Sequence, residues 1–463
     1  MKTRKKITQT SIRHDGHRGS PRWLLPLTAV CLLAVPGLSS AQFHSEVIDL
    51  PTDPTLNHPT RYSVVRTIDN QYTVSYANDQ VMQEFLLTRY DISYTGGIVM
   101  PLPCRHVPIP AQVREVRDIR VLEDYVYFCG KLTNDKAFIG YFPFVWGAAS
   151  VTINMVEVTG AQTLWRMAVY KNSLGAPKVV AVGIGSANPY SDRVVVEVDG
   201  IRNPATTSCG VALLQDEVLE DVALVGNEVV LTGVCAKQDA LCLRKAGSDN
   251  VLCPQLFYRW HYPDPAGERI YMLTAAATDF GTLSVAYCHR DVPAMQDYTR
   301  IRHFDIPSMQ MVNSHEITCH AKPYIHEMAF VPEIQAPILL QDIPFPTGSS
   351  GYQSVFTPVY PSQTSGYGAY SHYHPGSRFW SVDAVPDRSI VSTGENVMLL
   401  DRHSEALPSG CVVEDKLNVA VIANNEKHYS YVPMPTYPSG LVRTSHTVSP
   451  LSSPSAGINC TNP

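Results

Sequence analysis

The chain has 463 residues with 36 Lys and Arg against 42 Asp and Glu, a formal net charge of −6, and 44% hydrophobic residues. That length and apolar content suffice for a large folded core, so wholesale disorder is excluded. The acidic balance, with no basic cluster in the body of the chain, argues against nucleic acid and anionic lipid as partners, because both need a cationic footprint.

Residues 1–41 read as a secretory signal peptide. Lys2, Arg4, Lys5, Lys6, Arg13, Arg18 and Arg22 form a basic start, residues 23–38 an apolar run, and Ser39-Ser40-Ala41 a small-residue cleavage site. A membrane-spanning helix needs about 20 apolar residues. This run is shorter and contains Pro26 and Pro36. Cleavage after Ala41 removes seven basic residues and one acid, taking the net charge to −12. The mature protein is then expected outside the cytoplasm, in the periplasm, on the cell surface or in the medium, with no transmembrane segment.

Beyond the leader, helical periodicity is almost absent. Short runs rich in Val, Ile, Tyr, Phe and Thr alternate with Gly, Pro, Asn and Asp, which is the pattern of an all-β protein. The runs recur as a larger unit. At 116–158, VRDIRV leads through Glu123-Asp124 to YVYFCG, then Thr133-Asn134-Asp135, KAFIGYF and VTINMVEV. From 220 the unit reads EDVALV, GN, EVVLTGVC and ALCLRK; from 273, LTAAAT, DFG, TLSVAYC and YTRIRHFDI. HEMAFV with APILLQD, and WSVDAV with SIVST and VMLLD, start two more. Anchors at Val64, Ile119, Met167, Val222, Ala275, Met328 and Val382 lie 55, 48, 55, 53, 53 and 54 residues apart.

A period near 53 residues with four strands per unit predicts a single β-propeller of seven four-stranded blades over residues 42–446. One blade cannot bury both faces of its sheet alone, whereas radial stacking buries each face on a neighbour. Degenerate first and last units leave six or eight blades open, and two stacked β-sandwiches would fit the strand content but not the regular spacing. The strand at 45–49, or the one at 418–422, is expected to complete a blade from the opposite terminus. Residues 447–463, rich in Ser, Pro and Asn, read as a poorly packed tail.

The blade pattern resembles that of secreted bacterial β-propellers in general and extends over nearly the whole mature chain. No WD dipeptide ends the blades, the diglycine Gly96-Gly97 stands alone, and no Asp-box is present, so the resemblance implies an architecture and carries no functional residues.

Ten cysteines remain after cleavage: Cys104, Cys129, Cys209, Cys235, Cys242, Cys253, Cys288, Cys319, Cys411 and Cys460. An even number in an oxidising compartment reads as disulfides, with neighbour pairing 104–129, 209–235, 242–253, 288–319 and 411–460 as one arrangement among many. The stretch 352–380 reads as a long exposed loop. Within it Tyr367, Tyr370, His372, Tyr373, His374 and Trp380 offer rigid faces and polar tips for a ligand. His372 and His374 share one face of an extended strand but lack a third metal ligand.

His289, Arg290 and Asp291 follow a strand and are candidates for the axial face. His315 to His320 imitates a zinc-protease motif with spacing i+5 in place of i+4, which rules that chemistry out. Asp118, Glu220, Asp221, Glu327 and Asp383 recur near blade starts, either lining the channel as an acidic funnel or hydrogen-bonding the adjacent blade. No nucleophile elbow, phosphate loop or dinucleotide fingerprint is present, so no cofactor and no catalytic residue is assigned. The functional expectation is a non-enzymatic binding or scaffold protein of the cell envelope, its partner a glycan, a peptide or an envelope protein. The alternatives are a propeller glycoside hydrolase or polysaccharide lyase, and a structural or adhesive surface component.

Overall fold

The computed structural model describes residues 45–50, 61–68, 71–78, 83–89, 103–185, 193–214, 217–235, 240–252, 258–263, 268–278, 281–291, 295–319, 322–344, 352–374, 377–385, 388–401, 413–422, 427–431, 436–452 and 457–462. The leader at 1–41 lies outside them. Every regular element among them is a strand, and no helix there is long and apolar enough to cross a membrane.

Seven antiparallel units follow one another. Blade 1 is β2 (Tyr62–Ile68), β3 (Tyr72–Asn78), β4 (Gln83–Arg89) and β5 (Cys104–Pro108). Blade 2 is β6 (Val113–Leu122), β7 (Tyr125–Leu132), β8 (Ala137–Pro143) and β9 (Val151–Val158). Blade 3 is β10 (Ala161–Lys171), β11 (Pro177–Gly185), β12 (Arg193–Asp199) and β13 (Ser208–Leu214). Blade 4 is β14 (Glu217–Val225), β15 (Glu228–Cys235), β16 (Ala240–Gly247) and β17 (Tyr258–Pro263). Blade 5 is β18 (Glu268–Ala277), β19 (Thr282–Asp291), β20 (Gln296–Asp305) and β21 (Gln310–Cys319). Blade 6 is β22 (Tyr324–Val331), β23 (Ala336–Pro344), β24 (Tyr352–Pro358) and β25 (Tyr367–Tyr373). Blade 7 is β26 (Phe379–Val385), β27 (Arg388–Gly394) and β28 (Val397–Asp401), completed by the N-terminal strand β1 (Ser45–Asp49), which pairs with β28. The first strand of each blade touches the first strand of the next, and β26 meets β2, so the ring closes as a seven-bladed β-propeller.

Hydrophobic side chains fill the spaces between blades. Val126, Phe128, Phe138 and Phe142 of blade 2 pack with Val74, Tyr76 and Phe85 of blade 1, and similar clusters join the following pairs. Tight hairpins are made where a residue accepts positive φ: Glu123 (55°) turns β6 into β7, and Gly226 (58°) turns β14 into β15.

Two features were not foreseen. Every inner strand carries a bulge at the same register, so that Ser63, Arg117, Trp165, Glu220, Met272, His326 and Trp380 are left without a partner on the second strand. Opposite the bulge, four of the second strands carry glycine: Gly130, Gly183, Gly233 and Gly394. A Cβ at these positions would run into the carbonyl oxygens of Glu115, Thr163, Val218 and Arg378 respectively.

The second feature is a belt. After β28 the chain runs backward around the ring and adds an outer strand to one blade after another. β29 (Val413–Val421) pairs with both β21 and β25, β30 (His428–Tyr431) with β17, and β31 (Thr436–Pro438) with β13. Then β32 (Leu441–Val448) pairs with β9, β33 (Leu451–Ser452) with β5, and β34 (Gly457–Asn462) with β1. The segment expected as a loose tail from 447 thus carries strands. Ring closure falls to β1, while 418–421 belongs to the belt.

No disulfide is present among the described cysteines, and the neighbour pairings 104–129 and 209–235 are not made. Sequence neighbours here fall in different blades: Cys104 in β5 and Cys129 in β7, Cys209 in β13 and Cys235 in β15. Cys235 instead shares a buried cluster with Cys242, its neighbour across the β15–β16 hairpin, and the two thiols are within hydrogen-bonding reach. Cys253 and Cys411, and the side chains of Cys319 and Cys460, lie outside the described residues.

Candidate functional site

The site is built from the seven inner strands. Immediately after the bulge they carry Val64, Asp118, Arg166, Asp221, Leu273, Glu327 and Ser381; two residues further on they carry Arg66, Arg120, Ala168, Ala223, Ala275, Ala329 and Asp383. Side chains two apart on a strand share a face, so each set forms a ring about the axis.

Charges from opposite sides of the first two rings meet in the middle and plug the channel. Arg66 of blade 1 reaches Glu327 of blade 6 through two bonds of 3.2 and 2.5 Å, and Asp118 of blade 2 at 3.0 Å. Arg166 of blade 3 lies 4.0 Å from Asp118 and 3.9 Å from Glu327, and donates to the His326 carbonyl at 3.3 Å. Arg120 places Nε 3.2 Å from Asp118 and 2.8 Å from the Met167 carbonyl oxygen. Burial pushes the Glu327 carboxyl upward, but Arg66 and Arg166 outweigh it and bring it down to about 2. Burial opposes the charge on Arg66, and Glu327 and Asp118 more than restore it, so its pKa is raised.

The same acids knit the blades. Asp118 accepts from the backbone N–H of Met167 at 2.9 Å, Asp221 from Ala275 at 2.9 Å, Glu327 from Val382 at 3.2 Å and Asp383 from Thr67 at 2.8 Å. Each bond runs from one inner strand to the next. Of the two roles open to the repeated acids, four of the five perform the blade-joining one. Glu220, in the bulge of β14, is different. Burial outweighs Arg193 and Arg166 and raises its carboxyl to about 7.

Above the plug, at the end where the inner strands begin, the bulge residues make an aromatic and cationic mouth. His326 packs edge-on against Trp380 at 5.2 Å. Arg61 lies over the Trp380 ring at 3.9 Å and Arg378 at 5.5 Å. Trp380 Nε1 is buried without a hydrogen-bond partner among the described residues. Trp165 donates Nε1 to the Leu219 carbonyl at 3.2 Å, with Arg193 over its ring at 5.4 Å. Below the plug lies a cavity of about 370 Å³, lined by the polar groups of Arg66, Arg120, Glu327 and Asp383 and by Ala168, Ala223, Ala275 and Ala329.

No family model matches this chain, and no curated protein does. Among solved structures it is similar to oligopeptidase B from Leishmania major, with 12% identity over 76% of this chain and 55% of that one, at a TM-score of 0.33. The chain therefore spans about half the length of that protein.

The tyrosine-rich stretch is not a long loop. Residues 352–358 and 367–373 are the third and fourth strands of blade 6, with Ala369 and Ser371 buried. The Gly, Ser and Pro content suggested a loop, whereas the alternation in YGAYSHY is that of a strand. Tyr367 accepts a hydrogen bond from the Tyr360 N–H at 3.0 Å, and burial raises its hydroxyl to about 12. Tyr370, His372 and Tyr373 pair through the backbone with Lys416, Glu414 and Val413 of β29. The side chains of Tyr370 and His372 lie outside the described residues. His374 bonds Ser377 Oγ at 2.9 Å, and burial lowers its pKa. Of this group, Trp380 reaches the mouth of the channel.

His289, Arg290 and Asp291 end β19, the second strand of blade 5, and pair with Ile270, Arg269 and Glu268 at the start of the inner strand β18. His289 bonds Glu316 at 3.0 Å and stacks on Tyr298 at 5.0 Å; Arg290 grips Asp297 at 3.0 and 2.9 Å. His315 and Glu316 are in strand β21, not on a helix, and His320 lies outside the described residues. Among the described residues no group of three His, Cys, Asp or Glu side chains is gathered to hold a metal ion. Sequence reasoning missed Arg66, Arg120 and Arg166. Their signal is a basic residue at, or two places beyond, the position where other blades carry an acid.

Proposed function

We propose that this chain is an exported, non-catalytic β-propeller of the cell envelope that binds a glycan, a peptide or a protein partner at its axis. The observation that carries this reading is the use made of the channel carboxylates. Asp118, Glu327 and Asp383 accept backbone N–H groups of the next blade, and the first two also bind arginines. A carboxyl whose oxygens are taken up by such bonds is not aimed at a reacting atom, which general acid–base work requires. The mouth supports binding instead. Trp380 and Trp165 offer flat faces beside arginines, suited to sugar rings or peptide planes. Export rests on the leader sequence at 1–41.

The test is a thermal-shift screen of the chain against glycans and peptides, with Trp380→Ala in parallel. A ligand at about 100 times its Kd adds roughly 2.7 kcal/mol of stability. A shift with one ligand class, lost in the variant, is the expected outcome. Specific product formation from a polysaccharide or peptide would overturn the non-catalytic reading. One observation favours that second reading: burial raises Glu220 to about 7, the range of a general acid working near neutral pH. Glu220→Gln should then abolish product formation without lowering stability.

A further inference from the structure

The arginines of the plug are unevenly partnered. Arg66, Arg120 and Arg166 share two carboxylates, Asp118 and Glu327, in direct ion pairs. The other acids nearby accept their hydrogen bonds from neutral groups, and Asp383 acts on Arg66 through its charge alone. Asp383 gives Oδ2 to both the N–H and the hydroxyl of Thr67, each at 2.8 Å. Asp221 accepts Val222 and Ala275 N–H groups, and burial pushes its carboxyl toward the neutral form.

Geometry singles out Arg120 as the guanidinium with unused donors. Its Nε is committed to Asp118 and the Met167 carbonyl, while its two terminal nitrogens have no protein partner among the described residues. Its side chain is 30% exposed, whereas that of Arg66 is 5% exposed, and Arg120 faces the cavity below the plug. A guanidinium with its fork free accepts a carboxylate through two parallel bonds. Four consecutive blades line the cavity with alanine, Ala168, Ala223, Ala275 and Ala329, where larger side chains would fill the space. The cavity lining continues to Leu224, Ala277 and Ala384, near the ends of the inner strands, which places its opening on the face away from the mouth.

We propose that this cavity binds a small organic carboxylate with an apolar body, its two oxygens on the terminal nitrogens of Arg120 and its body against the alanine wall. The inference rests on the binding reading above and narrows it to one chemical class and one end of the channel. At about 370 Å³ the cavity is at the small end of ligand pockets, which fits a molecule of this kind rather than a polymer.

The experiment is calorimetric titration of the full-length chain with 3-phenylpropionate and its neutral isostere 3-phenylpropionamide, repeated with Arg120→Met and Ala223→Leu. The acid is expected to bind at least tenfold more tightly than the amide. Arg120→Met should erase that preference, and Ala223→Leu, which leaves Arg120 in place, should weaken both ligands at least tenfold. Circular dichroism melting checks that each variant is folded. If Arg120→Met fails to fold, Ala223→Leu still decides. Equal binding of acid and amide, no binding of the acid, or acid binding untouched by either variant would overturn the assignment. A glycan or peptide that shifts the melting of wild type and both variants alike, together with equal binding of acid and amide, would leave the general binding reading standing while this one falls. No response to any ligand in either experiment would count against both.

Discussion

At the scale of single residues, Asp118 carries the largest burden. It is fully buried, with Oδ1 on Arg66 and the Ile119 N–H and Oδ2 on Arg120 and the Met167 N–H. Removing one partner of a buried charge network leaves the others uncompensated, which costs about 3–5 kcal/mol. Asp118→Ala is therefore expected to lower unfolding free energy in guanidinium titration by that amount. Asp118→Asn, which retains an acceptor for Met167, should lose less. A second chain of polar groups crosses blade 5: Ser284 Oγ to His303 Nδ1 at 2.7 Å, His303 Nε2 to His315 Nδ1 at 2.9 Å, and His315 Nε2 to the Gln363 carbonyl oxygen at 3.2 Å. The carbonyl can only accept, so His315 donates from Nε2, His303 donates to His315, and Ser284 donates to His303. All the donors are satisfied with both rings neutral. Burial, reinforced for His303 by His315, lowers both pKa values below the ordinary 6.5. The unfolded chain takes up these protons more readily, so the stability this pair contributes is complete above pH 6.5 and is lost as pH falls below it. Glu220, raised to about 7 by burial, acts in the opposite sense, disfavouring the fold as pH rises from its ordinary 4.5 through 7. Melting temperature should fall between pH 6.5 and 5, and more steeply in Glu220→Gln. A flat profile in the wild type with an equally flat one in the variant would place the titrating groups elsewhere.

At the scale of elements, the repeated unit is an inner strand with a bulge beside a second strand that in four blades carries glycine. The bulge turns a carbonyl toward the neighbouring strand, and glycine leaves room for it. In β15 a Cβ on Gly233 would meet the Val218 carbonyl oxygen, a backbone atom that cannot swing aside. Gly233→Ala is expected to cost roughly 1–3 kcal/mol, the usual range for forced overpacking, whereas Gly247→Ala, with open space around it, should cost far less. Matched denaturant titrations of the two variants make the comparison. This device also explains how much could be read from the sequence. The blades were legible because their strands are long and bury alternate or continuous apolar residues, as VRDIRV and EVVLTGVC do. All seven anchors fall within two residues of the post-bulge position. The belt was not legible, because β31 has three residues and β33 two, too few for any period to show. The arginine plug was not legible either, since Arg66 and Glu327 are 261 residues apart and meet only once the ring has closed.

At the scale of the whole molecule, ring closure and edge protection are separate tasks given to opposite ends of the chain. β1 completes blade 7 by pairing with β28, and its other edge is taken by β34. The belt covers the outer edges of β5, β9, β13, β17 and β21, which would otherwise present rows of unpaired backbone groups. Its energetics are unequal along its length. β29 is anchored by Val419, which is 1% exposed and packs with Ile317 and Ala369, joining blades 5 and 6. From β30 to β33 the belt is mostly exposed, with Tyr429, Tyr431, Tyr437, Val442 and Leu451 each more than half open to solvent. Those strands hold on chiefly by backbone hydrogen bonds, each worth about 0.5–1.5 kcal/mol net, and so protect edges more than they stabilise the core. Two truncations separate the roles. A chain ending at Ile422 keeps β29 and the closing strand β1, and should melt within a few degrees of the full chain while uncovering the edges of five blades. It is expected to self-associate, seen as a rise in mass by light scattering after size exclusion. A chain ending at Asp401 also loses β29, and should melt lower as well as associate. If the Ile422 chain stays monomeric at the same concentration, its bare edges are blunted by their own twist and length, and the belt's contribution lies in stability alone.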